Sequence, residues 1–249
     1  MHCALWLIIL IGLAVGFLGG YAGISGSPFM IAGMVFLCGI GQHAAQGTVL
    51  TAMLGPMSLM ALLKLKEETR RQWKNILIGI FTYAVFSYFG AVAAFRFADE
   101  QLKKYFALLL MVVALIQFIP QGNQKQDTVR NIPAWWMLLT GALAGLIGGF
   151  FGVGAGVLLV PVFISLFRLD KNHARALSLG ILLPPVSLGA FFKYYQEGAI
   201  IWKYVFVLFA AYFVANWFGA HYGNKAKPLH FKIFYAFILL ALAALYYFR

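Results

Sequence analysis

Residues 12–37 read GLAVGFLGGYAGISGSPFMIAGMVFL, and residues 141–166 read GALAGLIGGFFGVGAGVLLVPVFISL. At an offset of 129, Gly12, Gly16, Gly19, Gly20 and Gly23 fall on Gly141, Gly145, Gly148, Gly149 and Gly152. The offset continues without a gap. Pro56 meets Pro185, Ser58 meets Ser187, Lys64 meets Lys193, Trp73 meets Trp202 and Tyr83 meets Tyr212. Leu and Ala coincide by chance in any apolar chain, but Trp, Pro and Lys do not line up at one spacing by chance. The chain therefore reads as a duplication: an N-terminal repeat over 1–120, a polar linker over 121–133 and a C-terminal repeat over 134–249.

Composition sets the solvent. Of 249 residues, 63% are hydrophobic and 10% charged. Apolar runs recur along the whole chain, and a bilayer core takes about 20 apolar residues per helix. The fold class is an all-α polytopic membrane protein of two inverted repeats. Each repeat has about five apolar segments: roughly 4–23, 28–41, 44–63, 75–95 and 105–119, then 134–151, 156–167, 176–192, 203–222 and 233–248. That gives eight to ten membrane helices with glycine-rich breaks near the midplane. The net charge of +12 does not point to nucleic acid, because no basic run forms a clustered surface. Lys and Arg sit in short loops, where they orient spans and meet anionic headgroups. Cys3 and Cys38 form no CxxC, and their spacing implies neither a disulfide nor a zinc site.

The first two segments of each half make either a there-and-back hairpin or one broken span, and charge decides between them. With hairpins, each half crosses an odd number of times and the halves are inverted. Thirteen of the 19 basic residues then share one side, including Lys64, Lys66, Arg70, Arg71 and Lys74. With broken spans the split is 10 to 9. Cytoplasmic loops carry the excess of Lys and Arg, so the hairpin is expected, with both termini outside the inner membrane. Whether it spans or re-enters stays open.

All seven acids lie in predicted loops. Intramembrane carboxylates are the usual proton and cation relays, so their absence suits an anionic substrate; proton or ion coupling through other groups stays open. No nucleophile–base pair or convergent metal-ligand set is present. No catalytic residue, metal or cofactor is expected, and the protein is not read as an enzyme. His43 and His173 could line an entrance, though interface-level histidines are more common.

The glycine clusters carry the best site signal. They supply Gly23, Ser25, Gly26 and Ser27 in the first half and Gly152, Gly154 and Gly156 in the second. Irregular backbone at membrane depth is tolerated where protein shelters it or a cavity wets it. A helix starting just after such a break aims free N–H groups and a positive dipole end at it. Two such ends from inverted halves would cradle an anion. The plainer alternative is that the glycines only let helices pack closely, and Gly12, Gly16, Gly141 and Gly145 fit it well. The third segments add hydroxyls (Thr48, Thr51, Ser58, Ser178, Ser187) and helix-breaking Pro56 and Pro185. Ser and Thr commonly bond their own helix's carbonyls instead. Lys64 and Lys193 end these segments, where lysines ordinarily snorkel to the interface.

The pattern GxxxGxxGGxxGVGxGxLLVPxxI, followed by HARALSLGILLPPVSLGAF, resembles the TauE/SafE family of sulfite and sulfonate exporters along essentially the whole chain. The resemblance implies about eight spans and export of sulfite, thiosulfate, sulfoacetate, sulfolactate or a related anion. The family's usual GVGGG stands here as GISGS at Gly23 to Ser27 and as GVGAG at Gly152 to Gly156. Both readings converge on a secondary transporter of a small anion, held in the lipid bilayer and working by alternating access. An anion channel and a non-transport assembly protein are the rivals.

Overall fold

The computed structural model describes residues 3–22, 26–55, 66–118, 132–154, 156–165, 167, 169, 171–182, 187–222 and 228–248. They form helices and no strand. In chain order the helices are α1 (Leu5–Ala22), α2 (Ser27–Cys38), α3 (Gln42–Ala52), α4 (Lys66–Arg71), α5 (Trp73–Ala94), α6 (Asp99–Phe118), α7 (Ala134–Phe151), α8 (Gly156–Ser165), α9 (Lys171–Leu182), α10 (Leu188–Gln196), α11 (Trp202–Tyr222) and α12 (Pro228–Phe248). Among them, α5 and α7 are long and apolar enough to cross a membrane by length and composition. Large apolar side chains face outward: Phe81 is 71% exposed and Phe206 67%. In water that surface would be costly; in lipid it is the expected shell.

The ends of the helices fall into two groups. At one end, Cys3 ahead of α1 meets Cys38 at the close of α2. The Tyr204 hydroxyl at the start of α11 donates to the Cys3 carbonyl at 3.0 Å. Asp99, which opens α6, sits on the start of α3, and Tyr246 near the end of α12 packs on Phe36 of α2. At the other end, Trp136 on α7 packs edge-on against Phe167, just past α8, at 5.5 Å.

These contacts make α1–α2 and α7–α8 hairpins. The second arm of each is short, with 12 residues in α2 and 10 in α8. At 1.5 Å per residue they reach about 18 Å and 15 Å, well short of a bilayer core of about 30 Å. Both arms are therefore re-entrant and start from breaks deep in the body. Cys3 and Cys38, whose spacing implied no disulfide, form one, with Cα atoms 5.0 Å apart. The hairpin brings together residues whose sequence separation of 35 carried no motif.

The packing is built on two parallel helix pairs that join one half to the other. On α1, a Cβ at Gly16 would lie 2.6 Å from the Tyr212 carbonyl oxygen of α11. On α7, a Cβ at Gly145 would lie 2.6 Å from the Tyr83 carbonyl oxygen of α5. Gly219 of α11 closes on the Phe17 carbonyl and Gly90 of α5 on the Leu146 carbonyl. All of these correspond at the offset of 129. Small residues let helices approach to backbone contact in lipid, so the GxxxG positions serve packing. The α1 helix runs away from the Cys3 end. The α7 helix runs toward it, because Phe151 at its close packs on Phe106 of α6. The two sets of helices are thus inverted. Antiparallel α6 and α12 meet through Phe106–Tyr246 and Phe118–Phe237. Glu67 and Glu68 lie on α4, and Asp99 and Glu100 in the first turn of α6, so these four acids sit in helices rather than loops.

Candidate functional site

The α3 helix is unusual for a helix in lipid, because Gln42, Gln46, Thr48 and Thr51 are all buried along it. Asp99 holds its start. The Asp99 carboxylate accepts the backbone N–H of Gln42 and of His43, each at 3.1 Å. An anion there satisfies amides that have no helical partner and meets the positive end of the dipole. The His43 Nδ1 contacts the same carboxylate, and its Nε2 lies 3.1 Å from the Ala94 carbonyl at the close of α5. His43 is thereby a strut between α3, α5 and α6.

One turn further, α3 meets the glycine break that follows α7. Gly152 has φ +66°, and a Cβ on it would stand 2.7 Å from the Gln46 Cβ. Only glycine satisfies both the left-handed backbone and the close approach. A Cβ at Gly154 would reach the Met53 Cε at 3.1 Å. The Tyr194 hydroxyl of α10 donates to Gln46 Oε1 at 2.9 Å and stands 3.3 Å from the Gly149 carbonyl in the last turn of α7. The break of the second half therefore lies against the third segment of the first half, joined through Tyr194. Gln46 Nε2, buried here, has no hydrogen-bond partner. The Tyr246 hydroxyl of α12 meets the Gln42 side chain.

The expected site residues fall out as follows. Gly26 caps α2, with Pro28 in its first turn, and a Cβ on it would collide with Val15 Cγ1 at 2.4 Å and approach Tyr212. Ser27 is buried at the start of α2, and Gly156 opens α8. Thr48 accepts the Ile201 N–H at 3.0 Å and so anchors the start of α11. Thr51 bonds back to the Gly47 carbonyl at 2.6 Å, the ordinary fate of a helical hydroxyl. Ser178 is buried on α9 with its Oγ unpartnered, among Ala174, Leu177 and Ile181. Thr48 instead flanks the cluster around Ala45, Val49 and Ala52. Ser187 precedes α10 without a side-chain capping bond. His173 is buried on α9. Lys193 pairs with Glu197 near Phe95, in keeping with a lysine at a span end. Gly23, Ser25, Pro56, Ser58 and Pro185 lie outside the described residues.

Sequence reasoning passed over Gln42, Gln46, Tyr194 and Tyr246. The signal available was QHAAQGT at residues 42–48: two glutamines four apart, on one helical face, at the mouth of an apolar run. Ser87 of α5 is a further polar residue buried between helices. It accepts the Ala190 N–H at 3.2 Å and satisfies the first turn of α10 from α5.

A family profile described as "Sulfite exporter TauE/SafE" matches residues 8–246. The chain belongs to the TauE/SafE family. Curated relatives agree. A protein of Methanocaldococcus jannaschii named a "probable membrane transporter protein" is 26% identical over 253 positions, covering 94% of this chain and 91% of its own. Two Bacillus subtilis proteins with the same description are 26% and 23% identical. They cover 91% and 87% of this chain, and 92% and 86% of their own lengths. A TauE/SafE chain is a membrane transporter by family, so the buried polar face of α3 belongs to a transport fold.

Proposed function

We propose that the protein is a secondary transporter that exports a small anion, with sulfite, thiosulfate or an organosulfonate as the substrate class, across the bacterial inner membrane. One observation carries this reading. Where the Gly152–Gly154 break meets α3, the buried side chains offer amide and hydroxyl groups, and the nearby Asp99 carboxylate is engaged by the Gln42 and His43 backbone N–H groups. Neutral donors in a dry, low-dielectric setting favour an anion, and a helix starting at the break adds its dipole. Re-entrant α2 and α8 are related by the 129-residue offset and run in opposite senses, as alternating access between inverted halves requires. Repeats 1–120 and 134–249, joined by 121–133, are the units that would rock.

Two observations support termini on the outer face. Among the described residues, Lys66, Arg70, Arg71 and Lys74 lie on α4 and at the start of α5, at the end away from Cys3, and Cys3–Cys38 lies where an oxidising compartment would keep it.

Uptake of sulfite, thiosulfate, sulfoacetate and sulfolactate into proteoliposomes tests the proposal. At least one should accumulate saturably. Gly154→Leu, which drives a side chain into Met53 at the break, should cut that rate at least tenfold in a protein that still elutes as one species. Absence of flux for every anion, or full flux in Gly154→Leu, would overturn it.

A further inference from the structure

His43 turns each of its ring nitrogens toward an oxygen. Its Nδ1 contacts the Asp99 carboxylate, and its Nε2 lies 3.1 Å from the Ala94 carbonyl. A carbonyl oxygen can only accept. Asp99 accepts a backbone N–H on each carboxylate oxygen, from Gln42 and from His43, so it too acts as an acceptor. A neutral imidazole has one N–H, and only the doubly protonated ring donates to both oxygens. The pair is open to water at the Cys3 end, with the His43 side chain 17% exposed and that of Asp99 41%. Phe95, just past α5, stacks on the ring at 4.6 Å. From α10, Tyr194 meets Phe95 edge-on at 5.0 Å, and Lys193 lies 5.7 Å from the centre of the same Phe95 ring with its charge paired to Glu197. From α12, Tyr246 meets Gln42.

The two bonds of the ring differ in what they join. Val49 of α3 and Phe106 of α6 share one apolar core, so the Asp99 contact stays within it. Tyr83 of α5 and Met137 and Ala144 of α7 belong to the other core, so the bond from Nε2 to Ala94 crosses between the two. The α7 helix runs into the Gly152 break, which rests on Gln46, one turn along α3 from His43. Parting α3 from the break therefore strains the crossing bond. At the offset of 129, His43 falls on Asn172 and Asp99 on Pro228, so the second repeat has no such pair and the feature belongs to one end of the molecule.

We propose that His43, Asp99 and the Ala94 carbonyl form a proton-binding site that latches α3 to α5, so that acid at the Cys3 end closes this end and slows transport. This rests on the transport reading above and adds its regulation. With the proton bound, both N–H groups donate and the two cores are tied. When the proton passes to water, Nδ1 keeps its hydrogen on the carboxylate, because the charge-assisted bond is the stronger. Nε2 then turns a lone pair on the Ala94 oxygen, and the crossing bond is lost.

The first test is the melting temperature of the purified full-length protein against pH. Imidazoles change charge between about pH 5 and pH 8. The fold bonds the charged ring, so the stability this adds is present in acid and lost as pH rises. Wild type should exceed His43→Gln at the acid limit, and most of that gap should be gone at the alkaline one. Asp99→Asn, which keeps an acceptor oxygen without the charge, should show the same shrinking gap and covers the case in which His43→Gln does not fold. A gap that stays constant with pH would overturn the latch. The second test is proteoliposome flux of the four anions named above, at equal pH inside and outside. Wild type should be slower in acid by about threefold or more relative to His43→Gln, the population shift that one hydrogen bond supplies; taking the ratio to the variant cancels any titration of the anion itself. A shrinking gap with no flux of any anion upholds the proton site and overturns transport. Flux with one pH profile in both proteins upholds transport and overturns the latch. A constant gap with no flux overturns both.

Discussion

At Gly145 there is no room for a single carbon. A Cβ would sit 2.6 Å from one backbone atom of Tyr83 and 3.0 Å from another, and backbone cannot step aside as a flexible side chain can. Gly145→Ala should destabilise by about 2 kcal/mol or more, as overpacking does, read as a lowered melting temperature in detergent. Gly198 is the contrast. It follows α10 with φ +65° and open space around its Cβ direction. Gly198→Asn, which tolerates that conformation, should cost a few tenths of a kcal/mol at most. Asp99 gives a third reading at this scale. Asp99→Ala removes the acceptor for two α3 amides and the partner of His43, and loss of such a cap costs about 1 kcal/mol. The melting temperature should fall by less in Asp99→Asn, which keeps one acceptor oxygen. Equal losses in the two variants would show that the carboxylate's charge, not its hydrogen bonds, holds α3.

Among elements, the re-entrant hairpins decide the architecture, and the α1–α2 hairpin is fastened covalently. In the chain-entropy account, closing a loop of this length stabilises by about 3–4 kcal/mol. A Cys3→Ser, Cys38→Ser double variant, or reduced wild type, should melt well below the oxidised protein. After reduction, Cys3 or Cys38 should react in intact cells with a membrane-impermeant thiol reagent added from outside; labelling only after the membrane is opened would place this end in the cytoplasm. The glycine register made the hairpins legible in the sequence, because Gly16 and Gly145 correspond and their contacts correspond too. Charge asymmetry correctly preferred a hairpin over a broken span. The reach of the second arm was not legible, since apolar runs at 28–41 and 156–167 do not announce where helix gives way to loop. Nor was the fate of Thr48, whose partner Ile201 is separated from it by 153 positions. Gln42 and Gln46 escaped notice because glutamine near the edge of an apolar run ordinarily faces water, and only the packing of α3 against the Gly152 break and Tyr246 buries them.

Across the whole molecule, each half lends a helix to the other: α1 lies against α11, and α7 against α5. Neither half can cover its own glycine seams. The piece 1–133 or the piece 134–249 made alone should therefore be degraded or aggregate, while the two co-expressed as separate chains should co-elute as one complex. A stable, monodisperse single half would refute this crosswise dependence. The same arrangement has a timetable. Gly12 and Gly16 leave the ribosome about 200 residues before Leu208 and Tyr212, which complete their seam. At translation rates of roughly 5–20 residues per second, α1 waits some 10–40 seconds in the membrane with a glycine face uncovered. During that interval any other helix with small residues is a competitor for that face. The last helix pairs to be synthesised thus decide whether the first helix was placed correctly.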